Sequence, residues 1–416
     1  MKVVIIAGGQ GTRIASVNSE IPKAMIPVAG KPVLEYEVEL AKRYGFTDFL
    51  FITGHLGSII SDHFGDGSKW GVNIEYYQEE KPLGTAGALG LLKDRLTEDF
   101  FVLYGDTITD FDMQAMLAYH KSKSADATLF VHPNDHPYDS DIVSLDANNQ
   151  VTAFCHKPHP EAFVSHNVVN AALFIFTPKI LEMIPIGRKS HIEKDVLPAC
   201  IAAGMNLFGY KSFEYIKDMG TPDRYHAVEE DVLSGKVAGM NRRFKRKAVF
   251  LDRDGVLNKE VNLLNRPEQI ELIPGAAEAV KLINKSGYMA VVVTNQPVIA
   301  RNLCSLEELD TIHATLETLL GREGAYLNAI YFCPHHPDQG YPEENPAYKI
   351  VCDCRKPKPG MLLKAAEDWN IDLAESYMIG DSDRDVQAGT AAGVKESIKI
   401  GTNEAYALLD QIKSLI

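Results

Sequence analysis

Short apolar runs, separated by polar stretches of helical spacing, recur in two series along this chain. In the first series the runs at residues 3–7, 49–52, 74–77, 101–104, 128–131 and 173–176 read as strands, being rich in Val, Ile, Leu and Phe. The stretches 34–44 and 112–121 carry apolar residues on one face of a helix. This alternation predicts a mostly parallel sheet covered by helices. The pattern restarts after a weak segment, Ser234 to Met240, and a basic run, Arg242-Arg243-Phe244-Lys245-Arg246-Lys247. Runs at 248–251, 290–294, 330–332, 377–379 and 397–400 then form the second series. The expected organisation is α/β in two domains, 1–234 and 247–416, joined by a linker at 235–246 whose cations are solvated. No internal repeat is present.

Length agrees with this division, because 416 residues exceed what one hydrophobic core holds. The composition, 45% apolar and 24% charged, is that of a globular protein. A net charge of −14 argues against a general binder of nucleic acid or of membrane surfaces. It leaves room for small anionic substrates held by local Arg and Lys, and leaves a homo-oligomer open. No apolar run reaches the length of a membrane span, and 2–7 is too short for a signal-peptide core, so a cytoplasmic location is expected. Six cysteines do not make a disulfide scaffold at this length. Cys155, Cys200 and Cys304 are scattered and read as packing residues, whereas Cys333, Cys352 and Cys354 cluster with His335.

The first strand runs into Ala7-Gly8-Gly9-Gln10-Gly11-Thr12-Arg13. A side-chain-free loop at a strand end aims backbone N–H groups at a polyphosphate. Arg13 adds a forked donor for the β- and γ-phosphate oxygens. The loop lacks the Gly-Lys-Ser/Thr of a P-loop, and Ile14 stands where a dinucleotide fingerprint needs its third glycine. Pro22-Lys23 follows, then Pro27-Val28-Ala29-Gly30-Lys31-Pro32.

This series resembles the signature of the sugar-1-phosphate nucleotidyltransferases, over about residues 1–230 and in family order. The resemblance implies that Leu83-Gly84-Thr85-Ala86-Gly87-Ala88 is the nucleobase loop, with Gly84 and Thr85 at the nucleotide. It implies that Asp106 and Asp218 hold Mg²⁺, and that Lys23 stabilises the α-phosphate in the transition state. Lys157 would bind the sugar phosphate, and Asn170 of Asn170-Ala171-Ala172 would contact the sugar. The chain departs from the family at Ala172, normally glycine, and at His156, normally the glutamate of Glu-Lys-Pro. In this chemistry the sugar phosphate attacks the nucleotide α-phosphorus directly, so the protein aligns two anions and neutralises their repulsion.

The second series opens with a strand followed by Asp252-Arg253-Asp254-Gly255-Val256-Leu257-Asn258. Asp252 can attack phosphorus, and Asp254 can serve as general acid and base. Thr294-Asn295-Gln296 ends another strand with a hydroxyl and amides for the phosphate, Lys356 offers a cation, and Gly380-Asp381-Ser382-Asp383-Arg384-Asp385 offers metal-binding carboxylates. The set resembles the haloacid-dehalogenase phosphatases over residues 247–416. That resemblance implies a Mg²⁺ site at Asp252, Asp254 and Asp381, with Thr294, Asn295 and Lys356 on the phosphate.

Cys333, His335, Cys352 and Cys354 make a closed Cys₃His set suited to structural Zn²⁺, with His336 as an alternative nitrogen ligand. Zinc there would fix Arg355 and Lys356 beside the active site. Together with Cys354-Arg355-Lys356-Pro357 these motifs resemble the D-glycero-D-manno-heptose-1,7-bisphosphate 7-phosphatases, with the histidinol-phosphate phosphatases as cousins. Departures stand at Pro297-Val298 and Asn302, where Ser-Gly and Gly are expected.

The two resemblances imply two Rossmann-like domains. The first has a glycosyltransferase-A-like mixed sheet; the second has a parallel sheet with a zinc-binding loop. They also imply linked steps, since the phosphatase would leave the sugar 1-phosphate that a guanylyltransferase consumes. Other sugars, such as mannose or glucose, a histidinol-phosphate specificity, or an inactive regulatory N-terminal domain are the alternatives. Arg355 is expected to grip the C1 phosphate.

Overall fold

The computed structural model describes residues 1–9, 20–338, 340 and 343–416. Gly11, Thr12 and Arg13 therefore lie outside the described residues. Two compact units are present.

In the first unit the strand Val3–Ala7 runs parallel to Asp48–Thr53 on one side and to Phe100–Tyr104 on the other. Asn73–Gln78 extends the parallel part, and Val169–Phe176 pairs antiparallel with Phe100–Tyr104. The nine-stranded sheet is thus mixed. Its central strands are continuously apolar because helices cover both faces; Val3, Val4 and Ile5 have no exposed surface. A small antiparallel pair, Thr107–Asp110 with Tyr215–Asp218, stands apart from the main sheet.

In the second unit five parallel strands lie in the order Ala329–Cys333, Met289–Asn295, Ala248–Leu251, Tyr377–Gly380, Glu396–Lys399. The chain leaves Ala248–Leu251 at the centre and fills both sides in turn, so the strand ends around Asp252 form the crevice where α/β sheets bind ligands.

The expected linker is in part packed structure. Lys236–Gly239 is helical, and Asn241 is fully buried, with Nδ2 donating to Asp110 Oδ1 at 2.6 Å. The basic run is not uniformly solvated either: Arg246 is buried, and its backbone brackets Asn370 and Asp372 at 2.9 and 2.7 Å.

The boundary also differs from a single cut. The second unit comprises Arg242–Ile416 together with Pro133–Ile142 and Lys157–Val169. The physical reason is the helix Leu306–Arg322. Its Thr318 hydroxyl accepts from Ser165 N and donates to Ser165 O, at 3.1 and 3.0 Å. Arg322 donates to Glu161 O at 2.8 Å. His166 sits between Glu317 at 2.5 Å and Asp310 at 3.1 Å. Burial alone would push His166 down, but the two carboxylates outweigh it and raise it to about 10. Among the described residues no helix is long and apolar enough to cross a membrane.

Candidate active sites

In the first unit Ala7 ends its strand and Gly8-Gly9 follow it directly. Gly84 has φ +78°, and a Cβ there would meet Ser190 O at 2.3 Å, so the loop lies flat on its neighbour only as glycine. Thr85 Oγ1 accepts from Ile192 N at 2.8 Å and fixes the next turn.

Asp106 follows the strand Phe100–Tyr104 and forms an ion pair with Lys23. Asp218 pairs with Thr107 across the small sheet, and Met219 N donates to Asp106 O at 3.0 Å. The fold therefore brings Lys23, Asp106 and Asp218 together from three distant stretches of sequence. Burial would raise Asp218, but Arg224, Gly220 N–H and Lys23 outweigh it and hold the carboxyl below its ordinary range. The Arg224 contact is 2.7 Å. Two carboxylates beside a lysine suit a hard cation whose remaining ligands come from a triphosphate.

Asn170 Oδ1 accepts from Ala172 N at 3.4 Å. Ala172 has φ +55°, a left-handed backbone that an alanine holds only under strain. The chain thus keeps the glycine conformation without the glycine. Lys157 belongs to the second unit, where its amine meets Asp139 O at 2.7 Å and Asp139 Oδ1 at 3.1 Å. Both side chains are about half exposed, so the pair is weak and open to competition by an anion.

The second unit holds the denser site. Lys356, 2% exposed, lies 2.9 Å from Asp252 Oδ1 and 2.5 Å from Asp385 Oδ1. Asp252, Asp381 and Asp385 place carboxylate oxygens within 4.8 Å of one another, a spacing that fits one divalent cation. Gly255, at φ +78°, lies so close to Asp381 that a Cβ would meet Oδ2 at 2.2 Å. Burial pushes Asp252 up, with Lys356 opposing. For Asp385 burial also raises, but Lys356 and Ser382 outweigh it and the net shift is down.

Asp254 stands outside this carboxylate cluster, unlike the expected ligand set. Its side chain is tied instead by four N–H groups. Arg253 Nε and Nη2 donate at 3.1 and 2.8 Å, Asn258 Nδ2 at 2.9 Å and Gln296 Nε2 at 2.9 Å. Burial would raise Asp254, but these groups outweigh it, Arg253 foremost, and hold it ionised. Arg253 itself is fully buried. Thr294, 1% exposed, accepts from Gln296 Nε2 at 2.8 Å. Asn295 clasps the Lys356 backbone through both its amide groups, at 3.0 and 3.1 Å. Asp385 is the last carboxylate of the metal-binding run Asp381–Asp385, and Gln296 is the last amide of Thr294-Asn295-Gln296, here turned to Asp254; Asn258 carries no signal in the sequence beyond its place at the end of the Asp252–Asn258 run.

Cys333, His335, Cys352 and Cys354 converge from the end of the strand Ala329–Cys333 and a later turn. Sulfur separations are 3.2, 3.2 and 3.5 Å, and His335 Nδ1 lies 3.4 Å from Cys354 and 3.8 Å from Cys333. All four are free thiols or imidazole, near the roughly 3.5–3.8 Å edges of a tetrahedron with zinc bonds of about 2.0–2.3 Å. The donor set fits zinc. His336 is outside it, its ring nitrogen accepting from Asp338 N at 3.2 Å. Arg355 follows the last ligand, and its guanidinium donates to His335 O at 3.0 Å. Asn302, one of the departures, has φ +54°, a conformation asparagine tolerates better than most residues.

The nucleotidyl transferase family matches residues 2–235, and the haloacid dehalogenase-like hydrolases match residues 201–393. Mannose-1-phosphate guanylyltransferase of Mycobacterium tuberculosis is 32% identical over 234 residues, covering 56% of this chain and 64% of that protein. D-glycero-beta-D-manno-heptose-1,7-bisphosphate 7-phosphatase of Haemophilus ducreyi is 41% identical over 161 residues, covering 38% of this chain and 86% of that protein. The chain belongs to both families. Its first half is a nucleotidyl transferase and its second a haloacid dehalogenase-like hydrolase. Among solved structures, HddC from Yersinia pseudotuberculosis covers 56% of this chain and 99% of that chain, at 25% identity and a TM-score of 0.48. The chain thus spans less than two thirds of the mannose-1-phosphate guanylyltransferase that its first half matches.

Proposed function

We propose that this chain is a bifunctional enzyme of nucleotide-sugar synthesis. The hydrolase half removes the C7 phosphate of D-glycero-D-manno-heptose 1,7-bisphosphate. The transferase half then joins the heptose 1-phosphate to GMP from GTP, giving GDP-heptose and pyrophosphate. The observation that carries this reading is the pairing, on one chain, of the Asp252–Lys356–Asp385 centre and its Cys₃His cluster with the Lys23–Asp106–Asp218 centre. The phosphatase relatives that share this half are named for the heptose bisphosphate.

In the hydrolase half Asp252 attacks phosphorus and the C7–oxygen leaves from it. A proton carried by Asp254 passes to the leaving alkoxide; the carboxylate so formed, which its four N–H partners favour, then takes a proton from the water that cleaves the aspartyl phosphate. Thr294, Asn295 and Lys356 bind the phosphate oxygens. Arg355, aimed by His335 O, grips the C1 phosphate and spares it from hydrolysis. Asp252, Asp381 and Asp385 hold Mg²⁺, which neutralises phosphate charge. In the transferase half Gly8, Gly9, Gly11, Thr12 and Arg13 cradle the triphosphate. Gly84 and Thr85 seat the base, and Asn170 contacts the sugar. Asp106 and Asp218 hold the second Mg²⁺. Zinc at Cys333, His335, Cys352 and Cys354 is structural. A cytoplasmic location suits these soluble substrates.

Incubation of the chain with GTP, Mg²⁺ and each anomer of the heptose bisphosphate tests the reading. Mass spectrometry should find GDP-heptose, phosphate and pyrophosphate. Free heptose, or phosphate release with no nucleotide sugar, would show that the halves do not serve one route. Mannose 1-phosphate belongs in the same screen, because the transferase relative above is named for that sugar.

A further inference from the structure

We propose that Arg224 is a phosphate-binding cation of the transferase half, held on Asp218 until the two carboxylates of that centre take a divalent metal. The inference rests on the nucleotidyl-transfer reading above and deepens it. Each carboxylate of the centre carries one cation: Lys23 pairs with Asp106, and Arg224 Nη1 donates to Asp218 Oδ2 at 2.7 Å. Two positive and two negative side chains leave the centre neutral. A divalent metal with a triphosphate adds more negative charge than positive, and the balance then favours both cations on phosphate oxygens.

Geometry allows that move. Asp218 Oδ1 accepts from Gly220 N at 2.7 Å, so the backbone fixes the carboxylate without Arg224. A hard cation sits about 2.0–2.1 Å from a carboxylate oxygen, which puts Nη1 within about 5 Å of any metal on Asp218 Oδ2. Rotation of the side chain brings its fork to phosphate oxygens on the same metal. The Arg224 and Asp218 side chains are 40% and 43% exposed, and an ion pair so exposed holds weakly and exchanges readily. Among the described residues the remaining N–H groups of the guanidinium have no partner. They keep a planar fork that binds two phosphate oxygens at once.

Placement on the helix points the same way. Arg224 is the third residue of the helix Pro222–Leu233, and its backbone N–H meets the Thr221 cap at 3.4 Å. Helix dipoles favour acidic side chains at this end and basic ones at the other. A cation in the first turn therefore works against the helix that carries it, and a local rule broken in this way is expected at functional sites. With a phosphate beside it the same placement turns favourable, because the helix N-terminus and the guanidinium attract one anion together.

Two measurements on the full-length chain test this, and their signs differ. The first is an electron paramagnetic resonance titration with Mn²⁺, without nucleotide. Arg224→Gln should bind Mn²⁺ roughly 3- to 10-fold more tightly than the parent, since the competing cation is gone. Arg224→Lys, which keeps the charge, should stay near the parent. Metal sites of the hydrolase half are the same in all three chains and cancel in the comparison. The second is pyrophosphate release at saturating metal. It should fall roughly 10²-fold in Arg224→Gln despite the tighter metal, and recover in part in Arg224→Lys. Phosphate release should be equal in all three chains. Weaker or unchanged Mn²⁺ binding by Arg224→Gln would make Arg224 a brace for Asp218 and overturn the proposal. Unchanged pyrophosphate release in that variant would overturn it equally. A parent that releases no pyrophosphate with any nucleoside triphosphate and sugar 1-phosphate sinks the nucleotidyl-transfer reading, and the phosphate role of Arg224 with it; the Mn²⁺ comparison still decides whether Arg224 holds the place of the metal.

Discussion

Lys356→Met should abolish catalysis in the hydrolase half and destabilise it, and divalent metal should reverse part of the lost stability but not the lost catalysis. Lys356 is 2% exposed and bridges Asp252 at 2.9 Å and Asp385 at 2.5 Å. Methionine keeps most of the volume, so little cavity energy enters. What changes is charge: two buried carboxylates lose their shared cation. Removing one partner of a buried pair costs about 3–5 kcal/mol, because the remaining charge stays desolvated. One carboxyl can take up a proton, which puts the expected cost near the lower bound, about 3 kcal/mol. For a unit of this size each kcal/mol moves Tm by roughly 2–4 °C, so a drop of about 6–12 °C is expected in EDTA.

Mg²⁺ or Mn²⁺ should then raise the variant's Tm more than the parent's. The carboxylates of Asp252, Asp381 and Asp385 lie within 4.8 Å of one another and would no longer share Lys356. Stabilisation by a ligand of the folded state grows as its binding tightens. Phosphate release should fall by at least about 10²-fold even at saturating metal, since the cation that neutralises the transferring phosphate is gone. Differential scanning calorimetry with and without metal, paired with a phosphate assay, reads all three effects. An EDTA Tm within 2 °C of the parent, or equal metal-induced shifts in the two proteins, would refute the reasoning.

Other substitutions probe the remaining claims. Asp252→Asn should stop phosphate release and leave pyrophosphate release within a few-fold, while Lys23→Ala should do the reverse with a loss of roughly 10²–10³; loss of both activities by either folded variant would contradict separate centres. Metal analysis of protein purified without added zinc should find about one equivalent, as for a closed site, and Cys352→Ser should lower zinc content, stability and phosphatase activity together. Ala172→Gly should stabilise by about 0.5–1 kcal/mol, the relief of left-handed strain less the entropy glycine adds to the unfolded chain; a destabilised variant in urea unfolding would refute the φ assignment. His166, raised to about 10 in the folded chain against an ordinary 6.5, stabilises fully below pH 6.5 and loses that contribution as pH climbs toward 10. The parent's Tm should therefore fall more steeply over that window than that of His166→Gln, and parallel curves would remove the ion pair from the account.

The sequence made some of this plain and concealed the rest for definable reasons. Strand ends carry the legible chemistry. Asp252, Thr294 and Asp381 each follow or close a short buried apolar run, and a parallel sheet must bring such ends to one edge. The thiols were legible because soft ligands repeat at close spacing. The orientation of Asp254 was not legible, since it depends on a guanidinium folded inward beside it. A charged residue in an acidic turn reads as solvated, yet Arg253 is the largest fully buried side chain among the described residues. Its burial is sustained by the bidentate bond to Asp254, with Asn258 and Gln296 closing around the same carboxylate. Three of these four residues sit within one heptapeptide, but nothing in its spacing says which of its carboxylates turns toward metal and which toward the arginine. The packing of Pro133–Ile142 and Lys157–Val169 on the helix Leu306–Arg322 is harder still to foresee. It uses single hydrogen bonds from Ser165 and Arg322 and one ion-paired histidine, spread over contacts about 150 residues apart. Such contacts have no period and no motif. Ala172 and Asn302 show the opposite case: the sequence marked them as departures from glycine, and the backbone kept the left-handed conformation at both. A substitution that leaves φ unchanged moves its cost into strain, and strain is measurable by restoring the glycine.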